Sequence, residues 1–262
     1  MFENNLGGLL LTIVLGLLLC FTFGDNNSLD TAIVLYGQRA QNSYNLSADP
    51  GNIDRAISIF RKHLEYSDNK REAGEFLLRS YYYKGKFCVN DDQERKQIYN
   101  EGKTLGEKLI KLYPSSAPIH YWYLVNLGSW AEIYGVIPAA REGVANIMRE
   151  YSQKIIDIDP NYNDGGGYFM LGAVHLKAPY IPFVLSWPDN KKALEYLTMA
   201  FEIGESTPSQ TVYLARAMYK NNKKNKAISL LSSLLKRPIS EAYKLEDKDQ
   251  HAIAKQQLRE WK

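Results

Sequence analysis

Tyr168-Phe169-Met170-Leu171-Gly172-Ala173-Val174-His175, entered through the turn Asp157-Ile158-Asp159-Pro160-Asn161-Tyr162, decides how the chain reads. A leucine followed by a small residue lets a neighbouring helix approach closely, and the Asp-Pro-Asn turn ends the helix before it. The pair recurs as Leu127-Gly128 and Leu214-Ala215, with a looser copy at Leu77, ahead of Tyr81-Tyr82-Tyr83. These leucines are separated by 50, 44 and 43 residues. A period of that size marks stacked helical hairpins, each too small to bury its apolar face alone. Period-2 alternation bounded by Gly and Pro, the strand signal, is scarce. The expected fold is all-α, a solenoid of antiparallel helix hairpins.

The helical template can be followed along the body. One helix is expected over roughly 30–43 and another through Ile53, Ala56, Ile57, Phe60 and Leu64, after the break at Asp49-Pro50-Gly51-Asn52. Further helices fall at about 71–84, from the polar run 90–95 to Tyr113, and at 117–134, the last apolar on most faces. Val144, Ile147, Met148, Tyr151 and Ile155 make the next stripe, and Asn163-Asp164 caps the helix carrying Leu171-Gly172. Stripes at Ala193–Gly204, Leu214–Met218 and Ala227–Leu235 follow, with a final capping helix at about 246–261.

The spacing resembles that of tetratricopeptide repeats, in which an Ala of the second helix follows the leucine-small pair by about 13 residues. Leu214 to Ala227 is 13 and Leu127 to Ala140 is 13, whereas Leu171 to Ala193 is 22. The excess is the Pro-rich segment Pro179–Pro188, and a comparable excess after Leu77 falls near Cys88 to Gln97. Both insertions lie between the first and second helix of a hairpin, so they project from one edge of the solenoid. That edge is a candidate binding face.

Composition excludes little. With Lys+Arg 32 against Asp+Glu 29, the net charge of +3 gives no reason to expect a nucleic-acid partner. The basic run Lys220–Lys226, interleaved with Asn, reads as a solvated turn. Cys20 and Cys88 belong to no CxxC or Cys/His ligand cluster, and none of His63, His120, His175 and His251 has metal spacing, so no metal or cofactor is expected. Gly165-Gly166-Gly167 lacks both the preceding strand and the following Lys-Ser/Thr of a phosphate loop, which leaves a helix entry. No nucleophile elbow or marked carboxylate pair occurs, and the chain reads as a non-enzyme. His175 reads as a hydrogen-bonded inner-helix histidine. Tyr121, Trp122, Tyr123, Trp130, Tyr180, Phe183 and Trp187 allow two readings: core, or an apolar cleft roofed by the Pro179–Pro188 loop. The candidate ligand or partner residues are therefore Tyr121, Trp122, Trp130, His175, Tyr180, Phe183 and Trp187.

Leu6 to Phe23 is an 18-residue run without a charge, close to the length that crosses a bilayer. Small residues around Thr22-Phe23-Gly24 suit a signal peptidase, but Met1–Asn5 carries no Lys or Arg. Leu18-Leu19 before Cys20 is poor context for a lipid anchor. A membrane anchor, a cleaved leader and a buried core helix all stay open. The expected plan is a signal peptide or transmembrane anchor at 1–24, a capping helix and linker at 25–50 and the repeat domain at 51–262.

From His120 to Leu258 the chain resembles the T component of tripartite ATP-independent periplasmic (TRAP) transporters. The residues that carry this are Tyr121-Trp122-Tyr123, Ile156–Tyr162, Gly167–Gly172 and the Pro-containing loop before Asp189–Ala193. The regulator of microtubule dynamics family is similar over the same region, and the hairpin at Ile53–Lys84 looks like an extra repeat. The transporter resemblance implies a periplasmic scaffold that binds a solute-binding or membrane protein, as a homo-oligomer or otherwise, with an apolar cleft for a ligand. The expected function is thus a non-enzymatic scaffold in the cell envelope, on the periplasmic side, held to the membrane through residues 6–23 or exported after cleavage near Gly24. The alternative is a carrier of a hydrophobic small molecule.

Overall fold

A computed structural model describes residues 27–183 and 185–261; the apolar run at 6–23 and the expected leader or anchor at 1–24 lie outside them. Every regular element among the described residues is helical. In chain order these are α1 (Leu29–Gly37), α2 (Gly51–Tyr66), α3 (Lys70–Tyr83), α4 (Asp92–Leu112), α5 (Ala117–Tyr134), α6 (Val136–Arg141), α7 (Val144–Ile158), α8 (Tyr162–Lys177), α9 (Asn190–Ile203), α10 (Pro208–Lys220), α11 (Lys224–Leu234) and α12 (Lys244–Trp261). A π-helical turn, Lys84–Cys88, extends α3.

Five hairpins stack in order: α1/α2, α3/α4, α5/α7, α8/α9 and α10/α11, with α12 after them. Local chemistry sets the helix starts. The Ser28, Asp91 and Asp189 side chains accept backbone N–H groups at the entries of α1, α4 and α9. Thr207 and Gln210 form a reciprocal capping box at α10, which leaves fewer orphan donors at its first turn. Leu77, Leu127, Leu171 and Leu214, the four repeat leucines, are all buried.

Close approach is achieved at different glycines from those the leucine-small pairing suggests. A Cβ on Gly172 would lie 2.6 Å from Leu197 of α9, so this crossing does require glycine. Gly128 meets Met148 at an ordinary 3.7 Å. The tight crossing of α4 on α5 rests instead on Gly102 and Gly106, whose Cβ atoms would overlap Asn126 and Tyr123. At the head of α8, Asn163, Asp164 and Gly165 all take left-handed backbone (φ 51, 54 and 76). Asn and Asp tolerate this region better than other side chains, and Gln210 Nε2 donates to the Asp164 carbonyl at 2.7 Å. The expected helix entry is therefore a left-handed turn, pinned from the next hairpin.

Two sequence expectations are corrected. The first helix ends at Gly37, earlier than 43, and Arg39 beyond it is buried. Ala140 is exposed on α6 and is not the buried Ala of a second helix; α7 supplies that helix, with Val144, Ser152 and Ile155 inside. The 13-residue spacing from Leu127 is a coincidence, because residues 135–143 are a third insertion.

The last helix does more than cap. Its C-terminal half buries Ala254, Leu258 and Trp261 with α10 and α11, and Trp261 stacks on Tyr219 at 4.3 Å. Its start returns to the other end of the array. Leu245 belongs to the apolar core of the first two hairpins, Arg39 pairs with Glu246 at 2.8 Å, and Lys86 lies 3.3 Å from Asp249. The row of hairpins is thus closed by α12, which joins the fifth to the first two.

Candidate functional site

The predicted site residues separate into two clusters and an exposed tip. Tyr121 and Trp122, near the start of α5, touch each other at 5.5 Å between ring centroids; Tyr121 meets Tyr162 at 5.6 Å and Trp122 meets Tyr82 at 6.1 Å. Arg79 lays its guanidinium 5.0 Å from the Phe76 ring and 5.0 Å from the Trp122 ring, while pairing with Glu75 at 2.5 Å. Burial pushes the Tyr162 phenol up to about 12, with Glu75 adding to the rise. The positive charge of Arg79 opposes it. The cluster thus crosses α3, α5 and α8 and spends its aromatic surface on its own members.

Trp130 is buried two turns further along α5. It stacks on Tyr134 at 4.5 Å and donates Nε1–H to Asn100 Oδ1 at 2.9 Å, which ties α5 to α4.

His175 and Trp187 form the second cluster, with His175 near the other end of α8 from Tyr162. Their rings meet edge to face at 4.9 Å. The other contacts of Trp187 are the Arg149 guanidinium, 4.5 Å from its centroid, and Asn146 Oδ1, which accepts its Nε1–H at 2.8 Å. His175 Nδ1 accepts the backbone N–H of Asp189 at 3.2 Å, and burial lowers its pKa. Trp187 is therefore a wedge that braces the 178–189 insertion against α7 and α8. Tyr180 and Phe183 stand out from this insertion into solvent.

The third insertion adds surface that the sequence reading missed. Val136 and Ile137 on α6 are 63% and 66% exposed, as open as Tyr180 in the Pro-rich insertion, where Phe183 is fully exposed. Trp187 reaches Asn146 at the start of α7, directly after the third insertion, so the two insertions lie on one edge. The signal was available: Val136-Ile137 follows the helix-ending Gly135 and continues no stripe. The accidental 13-residue spacing hid it.

Two hollows mark the surface. One, of about 280 Å³, lies among His175, Lys177, Pro179, Tyr180, Asp189 and Lys220. The other, of about 350 Å³, lies among Tyr81, Asn100, Glu101, Thr104 and Lys108. The first is lined mainly by polar surface and the second by polar and apolar surface alike, and Tyr121, Trp122 and Trp130 take no part in either. Among the described residues, no group of three or more His, Cys, Asp or Glu is placed to hold a metal ion, and no helix is long and apolar enough to cross a membrane.

Residues 40–178 match the family model of regulator of microtubule dynamics protein 1-3. Among curated relatives, regulator of microtubule dynamics protein 2 of Bos taurus is 28% identical over 163 residues, which is 62% of this chain and 36% of the bovine one. Regulator of microtubule dynamics protein 3 of Rattus norvegicus is 30% identical over 105 residues, 40% of this chain and 21% of the rat one. The chain thus spans about a third or less of these relatives. A thermophilic TPR protein from Thermus thermophilus is similar in fold, with a TM-score of 0.58 at 16% identity, covering 87% of this chain and 97% of that one.

These findings correct the expected location. The periplasmic side of a cell envelope, with anchoring or export near Gly24, followed from the transporter resemblance and the apolar run. The family that matches is instead represented in cattle and rats, whose cells have no periplasm. The solute-binding partner loses its basis with it. The hairpin at 53–84, read as an extra repeat, lies inside the matched region. The chain is a tetratricopeptide-like helical-repeat protein and belongs to the regulator of microtubule dynamics family.

Proposed function

We propose that the protein is a non-enzymatic scaffold that docks a protein partner on the edge built from residues 135–143 and 178–189. One observation carries this reading: Val136, Ile137, Tyr180 and Phe183 are all exposed, on two insertions that the Trp187–Asn146 bond brings to one edge. Apolar side chains held in water on a rigid support gain from a partner, because no further loop ordering has to offset the burial. Arg141, within one insertion, and Lys191, just after the other, stand exposed and make an acidic rim on the partner favourable. The family description makes microtubules, or proteins that attend them, the first partner to test. Tyr121, Trp122 and Trp130 support this scaffold from within, and His175 with Trp187 fixes the loop that presents Tyr180 and Phe183.

The test is co-sedimentation with polymerised tubulin, with chemical crosslinks mapped by mass spectrometry. We expect crosslinks at 135–143 and 178–189, and at least tenfold weaker sedimentation for Ile137→Asp/Phe183→Asp with an unchanged thermal melt. Sedimentation that is absent, or indifferent to this pair of changes, sinks the reading.

A further inference from the structure

We propose that the surface of the first two hairpins covered by the start of α12 is a helix-receiving seat. The partner it fits is an amphipathic helix with an acidic first turn, and α12 is its internal stand-in. This goes beyond the edge-docking reading and does not depend on it.

The seat is basic and aromatic. Arg39 is 4% exposed, and its guanidinium lies 4.5 Å from the Tyr36 ring centroid and 5.2 Å from that of Tyr83. Its Nη1 donates to the Tyr36 carbonyl at 3.2 Å. Its Nε and Nη2 both donate to Glu246 Oε1, at 3.1 and 2.8 Å, and Nη2 also donates to the Ala242 carbonyl at 2.7 Å. Lys86 sits one helical turn further along the incoming helix, opposite Asp249. Leu245, next to Glu246, enters the apolar core of the two hairpins. The seat thus reads one apolar side chain, an acid next to it and a second acid three residues later. A planar guanidinium stacked between rings is pre-organised for a carboxylate and loses little freedom on binding one.

Two further observations separate the seat from its present occupant. α12 is joined to α11 through residues 235–243, which form no helix and of which 236–238 and 241–243 are exposed, so its start can leave while its end stays docked. Ala254, Leu258 and Trp261 anchor that end in a separate apolar core. The middle of α12 is also poorly matched to what it covers. Glu246 Oε2, Gln250 Oε1 and His251 Nε2 are buried and find no protein partner. A buried polar atom without a partner carries a desolvation penalty that no bond offsets. A partner helix keeping the Leu-acid-acid pattern but apolar at the levels of Gln250 and His251 would avoid that penalty and displace residues 244–250.

The probe is a fluorescein-labelled peptide of residues 240–261, added in trans to the whole chain and followed by fluorescence anisotropy. In Glu246→Lys the internal strap is loosened while the seat is intact, and we expect the peptide to bind at least tenfold tighter than to the parent. In Glu246→Lys/Arg39→Glu the internal pair is restored with its charges swapped, and the gain should vanish. Hydrogen–deuterium exchange should rise at 244–250 when peptide binds, with 254–261 unchanged. Leu245→Ala provides a second way to open the strap without altering charge. The proposal is overturned if either opened variant still folds cooperatively but binds no peptide, or if adding Arg39→Glu to Glu246→Lys leaves the gain in binding unchanged. It is equally overturned if both opened variants lose the fold as a whole, since α12 would then be an inseparable part of the core. Failure of microtubule binding at the insertion edge would leave these results untouched.

Discussion

Gly102→Ala should destabilise the protein, although in a solvated helix the same change helps. The gain is the helix propensity of Ala over Gly, about 1 kcal/mol. Against it stands the geometry at the crossing of α4 and α5, where the added methyl would overlap the Asn126 side chain. Asn126 is fully buried, and its Nδ2 donates to the carbonyls of Leu78 and Trp122, each at 2.9 Å. It cannot retreat without breaking those bonds, of which the one to Leu78 ties α5 to α3. Overpacking costs about 1–3 kcal/mol, and each lost bond about 1 kcal/mol. The net expectation is a loss of roughly 2–4 kcal/mol, or about 4–16 °C in melting temperature for a chain of this size. Urea unfolding followed by far-UV circular dichroism measures it. Asn126→Ala should cost about 2–3 kcal/mol through its lost bonds and cavity. The double variant should fall short of the sum by about 1–2 kcal/mol, because the methyl then has room. A Gly102→Ala protein more stable than its parent, or strict additivity with Asn126→Ala, would refute the close-crossing account.

Arg39→Met removes the ion pair and leaves Glu246 half-buried without it; breaking such a pair costs about 3–5 kcal/mol. Protection from hydrogen exchange should fall at 244–250 well before it falls at 208–220. His120 is buried, its Nδ1 bonded to the Ser116 carbonyl at 2.8 Å, and burial lowers its pKa; burial lowers His175 and His251 in the same direction. The unfolded chain then binds more protons than the folded one below the ordinary histidine pKa of about 6.5. Stability should therefore fall as pH drops through that value, until the folded-state pKa is passed. His120→Asn should flatten the urea midpoint between pH 7.5 and 5.5, and an unchanged slope would count against the burial argument. Trp187→Ala removes the edge-to-face and cation–π contacts that brace the 178–189 insertion, on the order of 1–2 kcal/mol together. Limited proteolysis should cut within 178–189 several times faster, with little change in the global melt.

The architecture was legible because its signals are local. Leucine-small pairs and Pro-terminated stripes each report on the residues beside them, and they placed α3, α5, α7 and α12 within about a residue or two. The failures have equally local causes. Val136-Ile137-Pro138-Ala139-Ala140 is apolar enough to pass for a second helix, yet it is a short exposed helix that precedes one. Glycines at crossings were sought after leucines, but Gly102 and Gly106 sit in a run of Lys, Thr and Glu, where nothing nearby shows that Asn126 and Tyr123 will press on them. Tyr121, Trp122 and Trp187 were legible as aromatic and no further. Whether rings line a cleft or fill one depends on partners such as Arg79, Tyr162 and Arg149, which come from other hairpins.

The pairing least accessible to sequence reading is the one between residues 39 and 246. In an open solenoid each repeat touches only its neighbours, so stability is a sum of adjacent interfaces and the ends fray independently. Here the last helix reaches back across 207 residues to the first hairpin, and the first and fifth hairpins can no longer open independently. An apolar closure would hold as well or better, because a buried ion pair brings little net stability over packed hydrocarbon. What the Arg39–Glu246 pair adds is selectivity. A guanidinium set against Tyr36 and Tyr83 accepts a carboxylate at one height and orientation, and a helix slipped by one turn would strand the charge. The clasp therefore fixes where α12 lands, while Leu245 contributes the adhesion. The residue that selects and the residue that adheres are adjacent in sequence but separable by mutation. Loss of Leu245 should weaken closure without changing its register, whereas loss of Arg39 should permit slippage.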